Sequence, residues 1–183
     1  MVSSEPTVAN SGNASQWQTD YVVSVKRAGA DVVDASVVIR RNGSAVTLSY
    51  AGGATYTAAE VGVPQGAVTL DVEAGADYLR GATAEAPGIH VLEQPLPGNT
   101  YSAASDLEVR WSRPSTADEA QLRAADFDLA VQDTGSHAVP ALQLGGTGTA
   151  MLRLRRTAVQ PLTGPTPETF TITSRQEFDF ILN

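Results

Sequence analysis

Hydrophobic and polar residues alternate along most of this chain with a period of two. In GAVTLDVEAGAD, Val68, Leu70 and Val72 fall on one face. In SDLEVRWSRP, Leu107, Val109 and Trp111 share a face, and Glu108 and Arg110 take the other. FDLAVQD groups Phe127, Leu129 and Val131, and TAMLRLRRTAV sets Leu152 and Leu154 against Arg153 and Arg155. TFTITSRQEFDFILN closes the chain with Phe170 and Ile172, then Phe178, Phe180 and Leu182. Alternation of this kind marks half-buried strands. Turn residues punctuate it about every 8 to 14 positions. The sharpest turn is Asn42-Gly43 in DASVVIRRNGSAVTLSY, a pair suited to the positive φ angles of a type I′ hairpin. No sustained 3.6-residue period is present, and only ADEAQLRAA suits a helix of one or two turns.

Short strands at regular spacing predict an all-β protein, built as two tandem antiparallel β-sandwich domains of the immunoglobulin-like kind. The break falls in RGATAEAPGIHVLEQPLPGNTY, where Pro87, Pro95 and Pro97 fix φ and remove donors. Residues 1–17, MVSSEPTVANSGNASQW, have the Ser, Asn, Gly and Pro of a flexible tether, without the basic and apolar regions of a signal peptide. The expected layout is therefore a tether over 1–17, one sandwich over 18–87 and a second over 88–183.

Two resemblances point the same way. DLEVRWSRP, with Trp111 followed by Pro114, resembles the early strand of fibronectin type III and related immunoglobulin-like domains. DASVVIRRNG through TYTAAEVGVPQGAVTLDVEAG resembles a transthyretin-like or carboxypeptidase-regulatory sandwich, through Ala35, Val37, Gly53, Tyr56, Gly66, Thr69, Leu70 and Val72. These are packing patterns, so what they imply is fold and not activity.

Composition adds exclusions. The net charge of −8 comes from 20 acidic and 12 basic residues, with no basic half to lie along a phosphate backbone, so no nucleic-acid partner is expected. The chain has no cysteine, which removes disulfides, thiolate metal sites and a cysteine nucleophile. No run approaches the roughly 20 apolar residues of a membrane-spanning helix. The polar N-terminal segment matches how an envelope lipoprotein or secreted protein begins after its leader is removed, so the expected location is extracellular or cell-envelope.

Candidate chemistry centres on VQDTGSHAVP. Asp133-Thr134-Gly135-Ser136 spells the tetrapeptide around an aspartic protease carboxylate. A single copy requires a retropepsin-like homodimer, in which two carboxylates share a proton. The polar Gln132 before it and the lack of a suitably spaced apolar-apolar-Gly element favour an ordinary turn, with the Asp side chain bonding the backbone ahead. His137 and Asp133 lack a nucleophile elbow for a Ser-His-Asp reading, and His90 and His137 alone make a poor zinc set. Asp126, Asp128 and Asp133 form the first calcium ligand set to test, since oxygen clusters suit Ca²⁺. No other cofactor is implied. Arg153 and Arg155 read as a solvated face.

The resulting expectation is a non-catalytic envelope or secreted protein in binding, adhesion or assembly, taking a protein partner through loops near 114–120 and 133–148. The alternatives are a carbohydrate-binding module using Trp17 and Tyr101, and the Asp133 protease.

Overall fold

The computed structural model describes residues 1–124, 127–162 and 168–183. The first strands are β1 (Val2–Pro6), β2 (Trp17–Ser24), β3 (Lys26–Arg27), β4 (Ala30–Asp31), β5 (Ser36–Arg41) and β6 (Ser44–Gly52). Next come β7 (Thr55–Val61), β8 (Gly66–Ala74), β9 (Asp77–Ala86), β10 (Leu92–Gln94), β11 (Thr100–Tyr101) and β12 (Leu107–Trp111). The last are β13 (Glu119–Ala124), β14 (Phe127–Val131), β15 (Ser136–Val139), β16 (Gly148–Leu162) and β17 (Glu168–Leu182).

The all-β expectation holds, but the two tandem sandwiches do not. One mixed sheet runs β14-β13-β16-β17-β1-β2-β7-β6-β5-β8-β9, with β11 pairing β17 off that path. It curls into a half-barrel, and small sheets β10-β12-β15 and β3-β4 complete the described structure. The fibronectin-like and transthyretin-like resemblances are overturned with the sandwiches. Alternation reports which face of a strand is buried, and a curled sheet and a sandwich bury the same face.

The tether is a second correction. β1 lies between β2, antiparallel, and β17, parallel, with Ser4 opposite both Thr19 and Ser174. Val2 is fully buried. The segment after it is held too, since Asn10 brackets Leu92 with two side-chain–backbone bonds of 2.7 and 2.8 Å. The third correction is ADEAQLRAA, in which Glu119–Ala124 form β13 and not a helix: Ala120, Leu122 and Ala124 are buried in a period of two. The Asn42-Gly43 turn is as expected, with φ of 47° and 77° between β5 and β6.

β16 and β17 dominate the architecture. Each has 15 residues, and they pair in register from Gly148 opposite Leu182 to Leu162 opposite Glu168. At about 3.4 Å per residue such a hairpin is roughly 50 Å long. One half of it lines a core with Val2, Tyr21, Ile39, Leu70, Phe170 and Ile172. The other half lines a second core with Leu92, Val109, Trp111, Leu122, Leu152 and Phe180. At the far end of the sheet, β9 returns against β16 and β17 without joining their ladder. Its inward positions are Ala84 and Ala86, small enough to permit that approach.

If β1 is a structural strand, Val2→Ala should cost about 2 kcal/mol in urea unfolding. Deleting residues 1–6 should abolish the cooperative transition. A dispensable tail would leave both midpoints unchanged.

Candidate functional site

Between the two cores the inward face of the sheet turns polar. Along one register row, Thr19 of β2, Ser4 of β1, Ser174 of β17 and Arg156 of β16 lie side by side. All four are buried. Ser4 and Thr19 share a hydroxyl–hydroxyl bond of 2.8 Å, and Thr19 donates to the Gly62 carbonyl at 2.6 Å.

Arg156 ends the row, with its side chain 0% exposed and that of its partner Asp133 only 1%. Nε donates to Asp133 Oδ1 at 3.0 Å and Nη2 to Oδ2 at 2.7 Å, the bidentate fork that suits guanidinium and carboxylate. Nη1 donates to the Pro87 carbonyl at 2.9 Å, and Nη2 also reaches the Ser115 carbonyl. The Trp111 indole donates to Asp133 Oδ1 and the Ala117 backbone N–H to Oδ2, both at 2.8 Å. Burial pushes the Asp133 carboxyl upward, but Arg156, Ala117 and Trp111 outweigh it and hold the group below the usual carboxylate range.

The DTGS segment is a turn between β14 and β15, as expected, but the Asp133 side chain is given to Arg156, Trp111 and Ala117. Asp133 does not bond the backbone just ahead, and in this chain its ionic partner is a guanidinium. His137 sits half-buried on β15, opposite Val109. Asp128 is exposed on β14 and accepts from Gln121. Asp126 lies outside the described residues, and among those described no cluster of three or more His, Cys, Asp or Glu gathers as metal ligands would. Arg153 pairs with Glu177 at 2.8 Å.

The histidine that does reach a hydroxyl is His90, which sequence reasoning set aside. Its Nδ1 lies 3.1 Å from Ser174 Oγ. Its ring meets Trp17 edge-on with centroids 6.0 Å apart. Nucleophilic Ser–His pairs share this contact, but here both residues are buried. Gln176 donates to the carbonyls of Ser11 at 3.0 Å and His90 at 2.8 Å, and His90 Nε2 and Gln176 Oε1 have no partner among the described residues. Burial, then the positive charge of Arg156, pushes the His90 imidazole down to about 3.

The aromatics proposed for a glycan face are also committed. Trp17 is 0% exposed and donates to the Ser11 carbonyl at 2.9 Å. Tyr101 accepts from the Leu96 N–H at 2.8 Å and packs edge-on against Phe180.

Accessible space lies elsewhere, at the end of the half-barrel where β2, β8, β9 and the β16–β17 hairpin meet. A cleft of about 890 Å³ opens there. Val23, Leu70, Val72, Leu79, Leu162 and Phe170 supply apolar wall, and Val23, Leu70 and Phe170 belong to the first core. Lys26, Arg27, Asp77 and Tyr78 supply charged and polar lining together with Ser24, Thr169 and Met1, whose amino group donates to the Val22 carbonyl, and Tyr78 is 71% exposed. Arg27 pairs with Asp77 at 2.7 Å and also reaches the Ala74 carbonyl. Lys26 and Arg27 come from the small β3–β4 hairpin, turned by Ala28 and Gly29 at φ 50° and 84°. No family model matches the chain, and no curated protein matches it significantly.

Two outcomes test the buried row. Asp133→Asn, which leaves Arg156 buried without its counter-charge, should lower stability by about 3 to 5 kcal/mol in urea unfolding. The double change Asp133→Leu with Arg156→Met should recover most of that loss. His90 is neutral when folded, and its unfolded form protonates below about pH 6.5, so the unfolded chain binds the extra proton and stability falls with pH. Between pH 7 and pH 5 the loss attributable to His90 should be about 2 kcal/mol, and His90→Gln should flatten that slope.

Proposed function

We propose that the chain is a non-catalytic binding protein, of the cell envelope or secreted space, that holds a largely apolar small ligand in the open end of its half-barrel. The observation that carries this reading is the 890 Å³ cleft, with aliphatic walls and its charged side chains on the exposed β3–β4 and β8–β9 turns. Its size lies within the roughly 300 to 1,000 Å³ of small-molecule sites, which combine apolar walls with a few polar groups that orient the ligand. A cleft opening from a packed core also exposes apolar surface that a ligand would cover at a gain of about 25 cal/mol per Å².

A second reading, a protein partner in adhesion or assembly, is favoured by one observation on the other half of the molecule. Leu142, in the short 3₁₀ turn Ala141–Gln143, is 99% exposed, within the loop region expected to meet a partner. It also lies in the half that carries β14, a terminal strand of the sheet path and suited to strand addition.

The neutral fluorophore N-phenyl-1-naphthylamine separates the two. Saturable one-site binding, weakened at least tenfold by Val72→Trp with an unchanged urea midpoint, is the outcome the cleft reading requires. Leu142→Asp should leave probe binding unchanged. If it removes a stoichiometric partner retained from envelope extract, and the probe does not bind, the second reading replaces the first.

A further inference from the structure

The charged groups at the cleft mouth are not equivalent. Arg27 is spent on Asp77 and on the Ala74 carbonyl. Lys26, next to it in sequence and on the same two-residue strand, makes no ion pair among the described residues. Asp31 stands opposite Lys26 in the β3–β4 ladder, yet the two side chains do not close to ion-pair distance. With the Arg27–Asp77 pair cancelling, Lys26 is the net charge of the described side-chain lining, on a protein whose overall charge is −8. A field of that overall sign gives an anion no general attraction, so recognition of one has to be local.

From this gradient, an apolar floor of Val23, Leu70 and Phe170 below a mouth where Lys26 is the one unpaired charged side chain among the described lining residues and the Met1 amino group is given to the Val22 carbonyl, we infer that the ligand is a single-chain amphiphile with one negative charge, an alkyl carboxylate. Its chain lies along the aliphatic walls and its head meets Lys26. The inference rests on the cleft being the binding site. A cationic head would meet Lys26 and Arg27 unfavourably. A head of higher negative charge would find, besides Lys26, only the Met1 amino group among the described lining groups, and that is already given to the Val22 carbonyl.

The test is displacement of N-phenyl-1-naphthylamine from the full chain by decanoate and by decanol, in the wild type and in Lys26→Gln. Lys26 is exposed, so its replacement leaves the fold intact, which an unchanged urea midpoint verifies. The expected result is that Lys26→Gln weakens decanoate about fivefold and leaves decanol unchanged. From octanoate to decanoate, affinity should rise about fourfold per added methylene. Displacement by both ligands with no effect of Lys26→Gln overturns the anionic head while the cleft reading stands. A flat chain-length dependence overturns the placement of the chain. Failure of the probe and of both ligands to bind overturns the inference together with the reading beneath it. A dimer abolished by Val72→Trp would then put a second copy of this chain in the cleft.

Discussion

A guanidinium with no access to water has to be matched donor for donor, and that requirement organises this molecule. Arg156 sits in the middle of the longest hairpin, where the two hydrophobic cores meet. Four of its five N–H donors are met by Asp133, Pro87 and Ser115, from the β14–β15 turn, the end of β9 and the β12–β13 loop. Those segments are remote in sequence. Each is placed by a partner it cannot exchange for solvent, because an unmatched buried charge costs several kcal/mol. The pair itself adds little net stability against an apolar substitute. Its effect is to reject other arrangements of the same strands.

The buried hydroxyl row extends that selection across the sheet. Val2 is paired with Tyr21 and Ile172, two positions from Ser4, Thr19 and Ser174. A slip of β1 by two residues would keep its apolar side inward, and so would pass the hydrophobic test. It would also move Ser4 off Thr19 and Ser174 and leave their hydroxyls beside apolar neighbours. The polar row therefore distinguishes registers that the apolar pattern treats as equal.

Much of this was legible residue by residue. Most long strands show in the alternation, and the Asn42-Gly43 hairpin is fixed by its φ requirements. β9 does not show, since its residues 80–86 fall in the stretch read as the break between domains and most of the strand is exposed. The same alternation already held the buried pair: Arg156 is in phase with Leu152 and Leu154, and Asp133 with Phe127, Leu129 and Val131. Charge drew attention to the run Arg153, Arg155, Arg156 as a surface, when phase separates its last member from the other two. Ser174 and Gln176 likewise continue the inward phase of Phe170 and Ile172. Strand partners were not legible, because pairing β1 with β17 joins positions some 170 residues apart and leaves no local mark. In ADEAQLRAA, Ala, Leu and Glu favour a helix by intrinsic propensity, and the ladders to β14 and β16 override them. The cleft had no sequence signal either, since its walls come from separate segments that only the curl assembles.

The placement of β1 between β2 and β17 sets a schedule for the ribosome-bound chain. β1 and β2 are made long before β17, and the parallel edge of β1 stays unpaired until Ile172, Thr173 and Ser174 have emerged. At about 5 to 20 residues per second, that wait is roughly 10 to 30 s. During it, the apolar face that carries Val2 and Tyr21 has an open flank, which makes this the interval of greatest exposure to chaperones and to wrong strand partners.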